Sequence, residues 1–413
     1  MKFDIFLSIC QTEVDGYVPS ERTMFENFFD QVQLADELGF DIAWIAESHL
    51  SCQVQKQNPD AVIPHFKGEI GLNTDIFQLA HKVFQKTKRI QIGSAIRNIL
   101  CNGGPVAHAE ALKTFLTLHG LDPHEQRKIY LGVAAGRFPF SNIPYGIRPR
   151  SDLEQKAWPV LRGLVFQQAL EIFLRTLKGE HLAITDVAPL RLLPSQFRSS
   201  QEWHAVWALR EQGEAGALEV DGIVVEPYWS FDKVGVIPFE APLHLLQLVL
   251  GSHDAAAQEL GNRYLPAWVF NLSITPQTTI EATHQHMVEV FHKDGGMWRR
   301  SYMPRTVLIF VNGEEHLSRD QQRAKARVAA EKAISNYWLA IEGTLDPAKI
   351  TQAVENAVYG SPEDVAEQIK ASYHPQDRLM LWFDFNNHDN EAVKASMKAF
   401  WYQTRPLLPQ EDH

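Results

Sequence analysis

Cysteine is scarce in this chain. The three residues, Cys10, Cys52 and Cys101, stand far apart without C-x-x-C spacing, so they imply neither a zinc cage nor a disulfide framework, only reduced thiols. Long apolar runs are missing too: no window approaches the roughly 18 uninterrupted apolar residues of a membrane helix. The opening MKFDIFLSIC has too short an apolar stretch for a secretory signal, an acid inside it and no small-residue cleavage site. The expectation is a cytoplasmic protein with no membrane partner. Basic clusters are absent, 39 Lys and Arg being dispersed among 50 Asp and Glu for a net charge of -11, so nucleic acid is not an expected partner. Ser94 and Ser252 lack a G-x-S-x-G elbow, which leaves a serine hydrolase without support. GVAAGR runs into a loop with Pro139 and Pro144 rather than a helix, so there is no dinucleotide fingerprint. His284-Gln-His286 has a spacing that points the two rings apart on a helix, against a metal site.

What is present is a rhythm. Near-continuous apolar runs at Phe3–Ser8, Ile42–Ile45, Ile90–Ile96, Lys128–Val133, Leu245–Leu250, Leu265–Asn271, Thr306–Val311 and Leu379–Phe385 read as eight strands covered by helices. Helical spacing falls between them, from Thr23 to Leu38 with Gly39 as C-cap, and over Thr74–Lys86, Val106–Leu118, Asp152–Leu177 and Arg319–Glu342. Eight strands alternating with helices predict an α/β fold, a (β/α)8 TIM barrel, with a doubly wound sheet as the rival. The 413 residues form a single such domain, 1–413, in this reading. One segment breaks the rhythm: 179–242 carries five prolines, an amphipathic middle from Glu202 to Glu214 and a strand-like Gly222–Val225. It reads as an insertion before the fifth strand, either a lid over the barrel mouth or a peripheral, dimer-forming subdomain.

Barrel active sites lie at the C-terminal ends of the strands, and small residues gather there. Gly93-Ser94-Ala95 ends the third strand, Gly132 to Gly136 the fourth, so a flat or anionic ligand could approach the backbone. Gly251-Ser252-His253-Asp254 opens a helix, where free N–H groups and the helix dipole favour phosphate; N-capping by Ser252 or Asp254 is the alternative. Arg137 and Arg150 could supply the complementary charge. Glu47-Ser48-His49 ends the second strand, where Glu and His either move protons or merely pin a loop.

These residues together resemble the bacterial luciferase-like flavin-dependent monooxygenase superfamily. MKFDIFLS, LADELGFDIAWIAESHL, IQIGSAI, PVAHAEALKTF, KIYLGVAAGRF, LVLGSHDAAAQEL, VYGSPEDVAEQI and ASMKAFWYQTRPLL resemble its segments in the same order. The resemblance implies an enzyme that takes reduced FMN, or in one branch F420, from a separate flavin reductase and uses O2 on a small organic substrate, as a homodimer or heterodimer. It assigns Gly251, Ser252 and His253 to the flavin phosphate, Ser94, Ala95 and Ile96 to the ring, with a non-proline cis bond at Ala95–Ile96, and Ala134, Gly136 and Arg137 to the flavin's length. Catalysis falls to His49, Ser48 and Glu47. Two departures stand out: Ser48 occupies the usual place of a catalytic histidine, and Leu121 to Arg127 keeps only the arginine of a longer family run. They keep open a catalytically silent partner subunit.

Overall fold

The computed structural model describes residues 1–58, 63–211, 217–219 and 222–409. Its strands are β1 (Lys2–Leu7), β2 (Ile42–Ile45), β3 (Gln91–Asn98), β4 (Ile129–Ala134), β5 (Leu190–Leu192), β6 (Ala217–Glu219), β7 (Gly222–Val225), β8 (Leu246–Leu250), β9 (Ala267–Val269), β10 (Arg305–Val311), β11 (Val358–Gly360) and β12 (Arg378–Trp382). A parallel sheet runs β11-β10-β12-β1-β2-β3-β4-β8-β9. It curls until Asn271, just past β9, bridges Arg305 on β10. There Asn271 N donates to Pro304 O at 2.8 Å and Thr306 N to Asn271 O at 3.1 Å. The eight strands read from the sequence are thus the staves of the α/β barrel, and β11 is an added strand on the flank of β10. Its three residues are too short a run to stand out in the sequence.

Alternation along the staves sorts the core. Phe6, Trp44, Tyr130, Val249, Trp268 and Met380 fill the barrel, while Ile5, Leu7, Ile45, Ile92, Leu131 and Leu248 meet the helices outside. Gly93 is required by this filling, because a Cβ there would lie 2.4 Å from Trp44 Cε3. Deeper in the barrel Asp4 accepts from Trp44 Nε1 at 2.7 Å and from Arg378 Nη1 at 2.6 Å, so its burial is paired.

The covering helices include α1 (Glu21–Leu38), α2 (Ile76–Lys86), α3 (Gly104–His119) and α4 (Asp152–Leu177), then α5 (Ser200–Glu211), α6 (Ala255–Tyr264), α7 (Gln277–Val290) and α8 (Arg319–Glu342). α1 starts earlier than the sequence pattern predicts. Ser20 accepts from Thr23 N, so Ser20 rather than Thr23 is the N-cap and the apparent cap lies in the first turn.

The 179–242 segment forms the antiparallel sheet β5-β7-β6 and helix α5, and residues 212–216 and 220–221 of it lie outside the described residues. Its described contacts run along α3 and α4. Gln168 Nε2 donates to Ala188 O at 3.0 Å, Lys113 Nζ to Val236 O at 3.1 Å, and Arg150 Nη1 to Pro227 O at 3.1 Å. Leu190, Leu192, Trp203, Val206 and Ile223 join the main core. The physical reason is apolar area: the segment's own small sheet has a face to bury, and α4 offers the surface.

Candidate functional site

At the C-terminal ends of the staves the chain narrows to small or aliphatic residues that stay partly open to solvent: Ala46, Ala95, Ile96, Ala134, Ala135, Gly136 and Gly251. Three of them meet. A Cβ built on Gly251 would lie 2.6 Å from Ile96 Cδ1 and 3.2 Å from Ala134 Cβ, so β3, β4 and β8 close together on one floor. The Ala95–Ile96 peptide is cis, as the resemblance implies, and the β3–β4 register shifts between Ser94 and Arg97. Gly136 turns the chain at φ 81° against the Asn98 side chain, whose Nδ2 reaches Asn142 Oδ1 at 2.6 Å and ties down the loop after β4.

Beside this floor lies an edge formed by the start of α6. The N–H groups of Ser252, His253 and Ala255 donate to no other group among the described residues. Asp254 is the N-cap of α6, accepting from Ala256 N at 2.8 Å and Ala257 N at 3.3 Å, so two first-turn donors are taken by a carboxylate and the opening N–H groups remain. The His253 ring turns to Thr283 Oγ1 at 3.2 Å, leaving its backbone as the part that faces the edge. The two candidate arginines differ. Arg137 is exposed and touches only the Phe138 ring among the described residues, its guanidinium 5.9 Å from the ring centroid. Arg150 is committed elsewhere, held by both oxygens of Glu154 and stacked 4.0 Å over Tyr228, and its role as charge complement is withdrawn. Arg127 is likewise bound at the far end of β4, to Glu125, Thr87 and Phe84.

The Glu47-Ser48-His49 stretch divides between two sides of the wall. Ala46 faces the mouth, and Glu47 is buried behind it, between β3 and helices α2 and α3. Its Oε2 accepts from Ser94 Oγ at 2.8 Å, and Oε1 takes Arg97 Nη1 at 2.7 Å and His49 Nε2 at 3.0 Å. Arg97 continues inward, donating from Nε to His108 Nδ1 at 2.8 Å and lying 4.6 Å over the Phe77 ring. His108 Nε2 therefore carries the proton and donates to Cys101 O at 3.0 Å. Burial first, then the guanidinium, hold the His108 ring near a pKa of about 3. With both oxygens occupied by these partners, Glu47 anchors the wall behind the mouth. Ser94, fully buried, spends its hydroxyl on Glu47 and can offer a ring only its backbone. His49 points toward Glu47, whereas Ser48 Oγ meets Ser51 Oγ at 3.0 Å under the loop that follows β2.

That loop is the roof. Ile63 and Phe66 pack on Ala340 of α8, with Cys10, Ile70, Phe138 and Ile341 around them, so segments following β1, β2, β4 and β10 join above the mouth. His65 N donates to Ala340 O at 3.1 Å. Sequence reasoning missed Arg97, His108 and Asp384, the last a carboxyl on the rim beyond β12. A strand-borne arginine beside a run of small residues was the available signal, since arginine is buried only when paired. All three cysteines are unpaired. The described residues contain no cluster of three metal-ligating side chains and no helix long and apolar enough to cross a membrane.

With this geometry in place, the chain can be set beside known proteins. The family model described as luciferase-like monooxygenase matches residues 1–121, which bears out the resemblance read from the sequence. No curated protein matches the sequence. Among solved structures, monooxygenase RslO1 from Streptomyces bottropensis superposes with a TM-score of 0.64 at 16% identity, covering 98% of this chain and 99% of that one. The oxygenating constituent of 3,6-diketocamphane monooxygenase from Pseudomonas putida, a type II Baeyer-Villiger monooxygenase in complex with FMN, gives 0.53 at 15% identity over 99% and 100%. An F420-dependent secondary alcohol dehydrogenase with an F420-acetone adduct gives 0.50 at 14% over 97% and 98%. At these identities the likeness is one of fold.

Proposed function

We propose that the chain is a flavin-dependent monooxygenase that takes reduced FMN from a separate reductase and oxidises an organic substrate with O2. The observation that carries this reading is the shared floor of Ile96, Ala134 and Gly251 beside an anion edge. A flat ring needs an even floor of small residues, and a terminal phosphate dianion needs unpaired N–H donors with a cation nearby. The floor and the N–H groups of Ser252, His253 and Ala255 without a partner among the described residues support the fit, with Arg137 as the candidate cation. Ala95, Ile96 and Ala134 would lie under the ring, and the Ser252, His253 and Ala255 N–H groups, the Ser252 hydroxyl and Arg137 would hold the phosphate. Bound there, the reduced flavin supplies the two electrons that let O2 react. The protein supplies position, with the segments after β1, β2, β4 and β10 packed together beside the mouth, and a floor fixed from behind by the Glu47–Arg97 pair. F420 is the second reading, favoured by the likeness in fold to an F420-dependent secondary alcohol dehydrogenase.

Anaerobic titration tests the proposal. Reduced FMN is expected to bind at least tenfold more tightly than reduced riboflavin, and Arg137→Gln to cost about tenfold in FMN affinity while leaving riboflavin unchanged, as one lost charged hydrogen bond would. Equal affinity for the two flavins removes the phosphate edge from the proposal. Peroxide release without product from the isolated chain, with product appearing on adding a second chain, points instead to a silent subunit.

A further inference from the structure

Past the end of β4 the chain runs from the floor residue Ala134 through Ala135 and Gly136 to Arg137. Among the described residues, 135–137 take part in a single hydrogen bond: Asn142 Nδ2 donates to Ala135 O at 3.0 Å. Asn142 is itself held, because its Oδ1 accepts from Asn98 Nδ2 at 2.6 Å, and Asn98 Oδ1 accepts in turn from Leu100 N at 3.0 Å. Asn98 is buried at the end of β3 and lies in register with Ala134. Beside it Ser141 Oγ accepts from Asn98 Nδ2 at 3.2 Å and donates to Phe138 O at 2.7 Å. The arm that carries Arg137 is therefore tied to the same strand that supplies Ala95 and Ile96 to the floor. Gly136 lets the arm lie close, since a Cβ there would come within 2.3 Å of Asn98 Nδ2. Arg137 has no such tie: it is exposed and meets only the Phe138 ring.

We infer that Asn142 is a positioning residue for the flavin phosphate: through Ala135 O it fixes the arm from which Arg137 reaches that group. The inference rests on the flavin reading and names one more residue in it. An arginine on a loose arm must order both its side chain and its backbone when it binds, and that ordering subtracts from the affinity it adds. An arm already fixed loses less. The relay needs one side chain that accepts from Asn98 and donates to Ala135 O together, which an amide can do and a carboxylate or a methyl group cannot. Asn142 acts through Arg137, so its effect belongs to the phosphate and not to the ring.

A double-mutant cycle tests this. Anaerobic affinities for reduced FMN and reduced riboflavin are measured on the full-length native chain, Asn142→Ala, Arg137→Gln and the double variant. Asn142→Ala is expected to weaken FMN about fivefold in the native background and less than about twofold in Arg137→Gln, as residues of one network couple. Riboflavin affinity should stay unchanged throughout. Asn142→Asp keeps the acceptor for Asn98 but has no N–H for Ala135 O, so it should match the alanine variant, and it carries the test if that variant does not fold. Equal losses for the two flavins, or an FMN loss of the same size with and without Arg137, mark a merely structural residue and overturn the inference; so does Asn142→Asp binding FMN as the native chain does. A native chain that does not prefer FMN over riboflavin removes the flavin phosphate reading, and the inference with it. A native preference that either Asn142→Ala or Arg137→Gln leaves intact removes the inference alone.

Discussion

The residue with the clearest energetic signature is His108. Its ring is 1% exposed, accepts from Arg97 and donates to Cys101 O, and its pKa is lowered to about 3. In the unfolded chain the same ring takes a proton near pH 6.5. Between those values the unfolded state binds more protons than the folded one. Stability is therefore full above about pH 6.5 and falls as the pH drops, by about 1.4 kcal/mol per unit. Urea unfolding at pH 7 and pH 5 is expected to show about 2 kcal/mol more loss in the native chain than in His108→Gln; identical losses would remove the charge argument. The ring matters because it orders Arg97, and Arg97 orders Glu47 behind the floor. None of this network was legible residue by residue: Glu47 showed as a strand-end acid and His108 as one position in a helix. What brings them together is the third stave, which turns Ser94 and Arg97 to the same side as the outer face of the second.

At the level of elements, the eight staves were readable because each is a near-continuous apolar run flanked by helical spacing, and both faces of such a strand are buried. β7 was read as the strand-like Gly222–Val225, but β5, β6 and β11 were not, because three-residue strands carry too little pattern to separate from loop. The position of that segment was also out of reach, since nothing in its composition says which face of the barrel it will cover. Arg150, Glu154 and Tyr228 decide it: the guanidinium binds the carbonyls of Glu226 and Pro227, and Tyr228 OH donates to Glu154 Oε2 at 2.9 Å. A segment clamped on a flank has no reason to respond to a ligand at the mouth. Limited proteolysis is expected to cut within 179–242 at the same rate with and without FMN, and Glu154→Gln to speed those cuts by loosening both partners. Protection that rises with FMN would favour the lid.

The whole molecule is a ring of staves, and a ring is only as firm as its least-bonded junction. Elsewhere neighbouring strands share three or more paired residues, as between β1 and β12 from Lys2–Arg378 to Ile5–Leu381. Between β9 and β10 the described junction is the lone bridge of Asn271 and Arg305, with Ser273 N reaching Thr306 Oγ1 beside it. Hydrogen–deuterium exchange is expected to reach the Asn271 and Thr306 amides well before those of β1 and β2; equal protection around the ring would contradict it. Such a junction gives the barrel the mechanics of a clasp. The floor built by β3, β4 and β8 belongs to other staves, so a brief parting of the clasp would leave that surface undisturbed.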